Sequence, residues 1–115
     1  MSKNSDNPVD VEFLNNIVDG DKEFEHELYE IFIENSAQYL DKMQESLKSG
    51  DCNAWYMSSH AFKGASASIG FFPLSRVLET AQKSFESDAA TKEGILAEAK
   101  QEHNKVMQYI KGQLS

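Results

Sequence analysis

The side chains best suited to chemistry lie in one stretch near the middle of the chain, Ser59-His60-Ala61-Phe62-Lys63-Gly64-Ala65-Ser66-Ala67-Ser68-Ile69-Gly70. Its spacing predicts a helix from an Asp51 N-cap to Ser68, with Gly70 as the C-terminal stop. On a wheel of about 100° per residue centred on His60, Asn53, Tyr56, Lys63, Gly64 and Ala67 fall within about 60°. Trp55, Ser58, Phe62 and Ile69 fall within about 40° of the opposite side. The large apolar side chains therefore point away, and His60 belongs to the exposed face. Lys63, at i+3, can reach charge placed on the imidazole. Gly64, at i+4, costs a helix roughly 1 kcal/mol relative to alanine, and the missing side chain leaves a recess beside the ring. An exposed imidazole, a neighbouring ammonium and cleared space suit a histidine that accepts an anionic group, a phosphoryl above all. The plain alternatives are a surface histidine without a role, a solvated lysine and a glycine placed by chance. The combined spacing argues against all three.

The run His60-x-x-Lys63-Gly64, followed by small residues and Gly70, resembles the signature of histidine-containing phosphotransfer (HPt) domains. These are the helical intermediates of multistep two-component phosphorelays. The likeness extends in pattern from about Val9 to about Ile110 and is specific in residues between His60 and Gly70, with support at Gln82. It implies that Nε2 of His60 takes a phosphoryl group from the aspartate of a receiver domain and hands it to a second receiver. Lys63 would then help neutralise the phosphoryl oxygens. The small residues Gly64 and Ala67, with Tyr56 at the edge, would leave a flat docking face.

Gln82 sits one step off the apolar stripe of the following helix. From there its amide oxygen could accept from Nδ1–H of His60 and leave Nε2 free to attack. The other reading is an ordinary exposed glutamine. HPt domains often carry a glutamine at this offset, and some carry a basic residue where this chain has Glu86, so a second cationic contact is absent here.

Phosphoryl transfer normally needs Mg²⁺, and no acidic cluster near His60 could hold it. No cofactor and no metal site are therefore expected on this chain, the resemblance placing the Mg²⁺ on the partner receiver domain. The sequence has no Gly-rich phosphate loop, nucleotide fingerprint or paired-carboxylate arrangement, so a phosphocarrier without its own ATP site is expected. The other histidines have plainer readings. His26 among Glu25, Glu27 and Glu30 suits a surface ion pair better than a metal, and His103 suits a flanking or partly buried place. Cys52 has no His or Asp partner at a recognisable spacing.

Five helical segments must position these residues. A short helix is expected from about Val9 to Val18, bearing Phe13, Leu14, Ile17 and Val18. Asp21 caps a long second helix with Phe24, Leu28, Ile31, Phe32, Tyr39, Leu40, Met43 and Leu47 inward, stopping at Ser49-Gly50. After the histidine helix, Pro73 opens a fourth, whose stripe is Leu74, Val77, Leu78, Ala81 and Phe85. Thr91 is expected to cap the last, with Ile95, Leu96, Ala99, Val106 and Ile110 inside. No strand-like alternation or repeat appears. Short loops imply antiparallel neighbours, hence an all-α, up-down-up-down four-helix bundle with a short additional N-terminal helix. The domain is expected over residues 8–115, with a disordered N-terminus at 1–7.

At 115 residues, 40% hydrophobic and 26% charged, the chain fits one soluble domain with one modest core. Its net charge of −8 argues against nucleic acid and anionic membrane as partners. No apolar run could span a bilayer, and the single cysteine fits a reducing, cytoplasmic setting. Receiver domains, and with them a hybrid histidine kinase, are the expected partners, and a monomer is the expected state. Two alternatives stay open: a helical docking module that is not phosphorylated, and the phosphorylatable segment of a larger histidine kinase. The Met1 start and the end just past a helix favour a free-standing protein.

Overall fold

The computed structural model describes residues 7–115, which form α1 (Val11–Val18), α2 (Lys22–Ser49), α3 (Cys52–Ser68), α4 (Phe72–Lys83) and α5 (Ala89–Leu114). The last four helices form the bundle: α3 packs between α2 and α4, and α5 closes the ring against both. α1 lies against α2. Among the described residues there is no strand, as the sequence pattern implies.

Four of the five helices begin with the same device. The carboxylates of Asp10, Asp21, Asp51 and Asp88 accept from the backbone N–H groups of Phe13, Phe24, Ala54 and Thr91 at 2.9–3.0 Å. Each satisfies a donor that the first turn leaves without a partner, worth about 1 kcal/mol. Two expected boundaries shift accordingly. The first helix starts at Val11 rather than Val9, because Asp10 takes the cap. Thr91 is not the cap of α5: Asp88 is, and Thr91 donates the capped N–H. Of the N-terminal stretch expected to be disordered, residues 1–6 lie outside the described residues, while Asn7 Oδ1 accepts from Val9 N–H at 3.2 Å.

Gly70 ends α3 and seats α1. At φ 86° it adopts a left-handed conformation that favours glycine. The N–H groups of Gly70 and Phe71 return to the carbonyls of Ala67 and Ser66, closing the helix end in a Schellman pattern. The Gly70 carbonyl then accepts from Asp10 N–H at 2.9 Å. A Cβ at Gly70 would stand 3.2 Å from the Phe13 ring and 3.3 Å from the Asp10 carbonyl oxygen. The N-terminal helix is thus held against the end of the histidine helix.

The core is built from Trp55, Phe62, Tyr29, Phe32, Phe71 and Leu78 with aliphatic neighbours. Two expected inward residues of α2 do not join it: Phe24 is 37% and Ile31 56% exposed. A four-helix bundle buries a stripe narrower than the apolar face of α2. The inner positions go partly to polar side chains instead. Glu25 is buried and accepts from the Tyr29 hydroxyl at 2.6 Å, and Ser36 is fully buried. Burial, and then the bond to Glu25, push the Tyr29 hydroxyl far above its ordinary range.

Candidate functional site

The expected inner face of α3 is the observed one. Trp55, Ser58, Phe62 and Ile69 are all buried, while His60 is exposed. The anchor is Trp55, whose indole N–H donates to the Ala81 carbonyl of α4 at 2.7 Å. That carbonyl lies in the last turn of α4 and also accepts from the Ser84 N–H at 3.2 Å. One side chain thus fixes the α3–α4 register immediately before Gln82. Lys63 lies level with Ser75, whose hydroxyl donates to the Lys63 carbonyl at 3.4 Å. Tyr56 meets Phe85 edge-on, ring centroids 5.2 Å apart. His60 is therefore bracketed by the segment from Ser75 of α4 to Phe85 just beyond it, which carries Glu79 and Gln82.

Around His60 the three nearest positions on its face differ in kind. Tyr56, one turn before, lies with its ring plane within 5° of parallel to the imidazole, centroids 6.2 Å apart. Phe85 packs edge-on against that tyrosine; it lies in the turn after α4 and not, as the stripe implied, within the helix. Gly64, one turn after, is exposed, and a Cβ built there would meet nothing within 4 Å. Nothing among the described residues requires a glycine at that position. The same open space surrounds Gly94 and Gly112 of α5, so Gly64 is set apart by lying one turn from His60.

Lys63 is half-buried and, among the described residues, in no ion pair. Its ammonium is nonetheless felt on α4. The Glu79 carboxyl is held below its usual range, first by a hydrogen bond from Lys83, then by the charges of Lys83 and Lys63. Lys83 pairs with Glu79 at 3.0 Å. The sequence reading missed Glu79 and Lys83. The signal was available, since positions 79, 82 and 83 share one face of α4.

Gln82 is half-buried rather than fully exposed, and its Oε1 is buried without a hydrogen-bond partner. No hydrogen bond joins it to His60 among the described residues. Ala67 is half-buried and Glu86 exposed. The structure thus gathers His60, Tyr56, Lys63, Gly64 and Ala67 on one face of α3, with Gln82 on the adjoining helix. His26 is exposed on α2, and His103 is half-buried in α5. Neither belongs to the His60 face.

The clefts of the surface lie elsewhere. A groove of about 380 Å³ runs between α2 and α3 past Tyr39, Lys42, Met57 and Ala61, and His60 does not line it. Among the described residues no cluster of three His, Cys, Asp or Glu side chains is placed to hold a metal ion. None of the described helices is long and apolar enough to cross a membrane.

A family model described as Hpt domain matches residues 27–110, which include α3, α4 and most of α2 and α5. The chain belongs to the Hpt domain family. No curated protein sequence matches it significantly. In fold, this Hpt domain is similar to the crystal structure of histidine-containing phosphotransfer protein B (HptB) from Pseudomonas aeruginosa PAO1. The TM-score is 0.85 at 19% identity, over 92% of this chain and 93% of that one. The five-helix architecture read from sequence is thus that of a solved phosphotransfer protein. α1 lies outside the segment matched by the family model.

Proposed function

We propose that this Hpt domain is a phosphorelay intermediate that carries its phosphoryl group on Nε2 of His60. The observation that carries the proposal is the exposed imidazole at mid-α3, followed one turn on by a lysine that makes no ion pair among the described residues and by a glycine at which a Cβ would meet nothing within 4 Å. The donor is the aspartyl phosphate of a receiver domain, and a second receiver is the acceptor.

Nε2 attacks phosphorus in line with the departing aspartate oxygen. The N–P bond forms as the O–P bond breaks, and the aspartate leaves as carboxylate. Lys63 faces the incoming charge, and its interaction with Glu79 is exchanged for one with the phosphoryl oxygens. Gln82 supplies the unpartnered acceptor. A hydrogen bond from Nδ1–H of His60 would place the proton on that nitrogen and leave the Nε2 lone pair for attack. Tyr56, braced by Phe85, limits rotation of the imidazole. Gly64 and Ala67 let a partner's surface approach the ring. The partner receiver domain brings Mg²⁺, and this chain acts as carrier without an ATP site of its own.

The test is incubation with receiver domains charged on aspartate, wild type beside His60→Gln. Label on wild type alone, stable in base and lost in acid, is the expected result. A panel of charged receivers that bind the protein yet leave it unlabelled would overturn the relay and leave a docking module.

A further inference from the structure

Outside the His60 face, one pair of reactive side chains has no part in that chemistry. Lys92 of α5 is only 5% exposed, yet among the described residues it has no carboxylate within ion-pair distance. Its ammonium lies 3.5 Å from Sγ of Cys52 and 5.4 Å from the centroid of the Trp55 ring. Glu93, the next residue, forms no ion pair among the described residues, and Asp51 and Asp88, at the starts of α3 and α5, direct their carboxylates to the backbone N–H groups of Ala54 and Thr91. Burying an ammonium without a counter-charge is costly, and a leucine or methionine would fill the space without that cost. The sulfur and the indole face are its partners among the described residues. Cys52 is a half-buried free thiol and is the first residue of α3.

We propose that Cys52 and Lys92 form a reversible, oxidant-driven sulfur–nitrogen cross-link, with hydrogen peroxide as oxidant. The thiol releases its proton to solvent and the thiolate attacks one peroxide oxygen. The S–O bond forms, the O–O bond breaks, and the departing hydroxide takes a proton from the Lys92 ammonium and leaves as water. Sulfur loses two electrons and peroxide gains them. The resulting amine, already in contact with the sulfur, attacks it: the S–N bond forms and the S–O bond breaks. The second hydroxide leaves as water with one amine proton. Thiolate, ammonium and peroxide thus become a sulfenamide and two waters. A dithiol reductant reverses the link. The tie joins α3 to α5, which lie diagonally across the bundle, and closes a loop between residues 40 apart. It forms about two helical turns before His60, at the base of the same helix.

The experiment treats the full-length protein with hydrogen peroxide and reads intact mass, peptide maps and alkylation of Cys52. Expected are loss of two hydrogens, a joined Cys52–Lys92 peptide pair, protection of Cys52 from maleimide, and reversal of all three by dithiothreitol. The linked form should melt several degrees higher, because the cross-link restricts the unfolded chain. Cys52→Ser and Lys92→Arg, each checked for helical content, should not form the link. Oxygen added to Cys52 with the Lys92 peptide still free, disulfide-linked dimers, or undiminished maleimide labelling of wild type would each overturn the proposal. None of these readouts depends on phosphorylation of His60.

Discussion

His60 and His103 occupy regions built on opposite terms. His60 stands exposed on α3, its ring near-parallel to Tyr56, with open space one turn away. His103 is half-buried on α5, its Nε2 2.9 Å from the hydroxyl of fully buried Ser36. The Phe32 and Phe62 rings lie 6.2 and 6.0 Å from its own. Burial lowers the His103 pKa by disfavouring the charged form. Every contact that holds His103 in place also removes the access a reacting group needs. A histidine's surroundings, rather than its presence, decide whether it can carry a group or only fill a seam.

The widest separation between the two should come from removing each ring. His60→Gln should abolish phosphohistidine formation while changing stability by less than about 0.5 kcal/mol, since the side chain is exposed. His103→Ala should do the converse, costing about 1–3 kcal/mol in chemical denaturation with labelling at His60 retained. If His103→Ala blocked labelling in a folded protein, the two regions would be coupled and the contrast would fail.

Acid sharpens the same contrast. Below about pH 6.5 the unfolded chain binds a proton at histidine that burial keeps off His103 in the native state. Its contribution is therefore neutral above that pH. Stability then declines as pH falls toward the lowered native value, below which both states are protonated and the loss is complete. Denaturation curves across this range should show a shallower decline in His103→Gln than in wild type.

Lys63→Ala should slow transfer from a charged receiver by about tenfold, by removing charge stabilisation of the phosphoryl oxygens. Gly64→Ala divides stability from function: a methyl group in open space should stabilise the helix by up to about 1 kcal/mol, yet slow transfer by crowding the approach to His60. Gly94→Ala, equally open, should give the same stabilisation and leave transfer unchanged. Should both alanines leave transfer alone, Gly64 is not a clearance residue. Smallest is Gln82→Ala, expected to reduce transfer about threefold through loss of ring orientation. A nuclear magnetic resonance spectrum showing the same His60 tautomer in both proteins would remove the orienting role.

The His60 face was legible because it depends on period alone. A wheel centred on His60 sends Trp55, Phe62 and Ile69 inward, and they are buried. The caps at Asp21 and Asp51 were equally plain, since each directly follows a turn glycine, Gly20 and Gly50. At the start of α5, Asp88 and Thr91 are both cap-forming types three residues apart, and sequence could not rank them before geometry gave Asp88 the Thr91 N–H. Phe24 and Ile31 misled for a different reason: hydrophobic character was read as burial, while the bundle gave inner positions to Glu25 and Ser36. Those polar residues sit inside because Tyr29 and His103 reach them, and such partners are invisible to a count of apolar spacing. Cys52 and Lys92 were illegible on the same ground, being 40 residues apart in the chain and brought together only by closure of the bundle. Gln82 was placed beside the right helix, but its buried, unpartnered oxygen could be known only from the fold.

The hydrogen bond from Trp55 to the Ala81 carbonyl has an optical consequence. This is the chain's one tryptophan, fully buried, bonded across the α3–α4 seam and facing away from His60. Its fluorescence is a built-in gauge of that seam: blue-shifted while the helices stay joined, moving to the red as water reaches the indole. Loading the opposite face of α3 should leave the emission maximum in place, whereas parting α3 from α4 should move it, so a single dye-free spectrum separates a charged carrier from a loosened one.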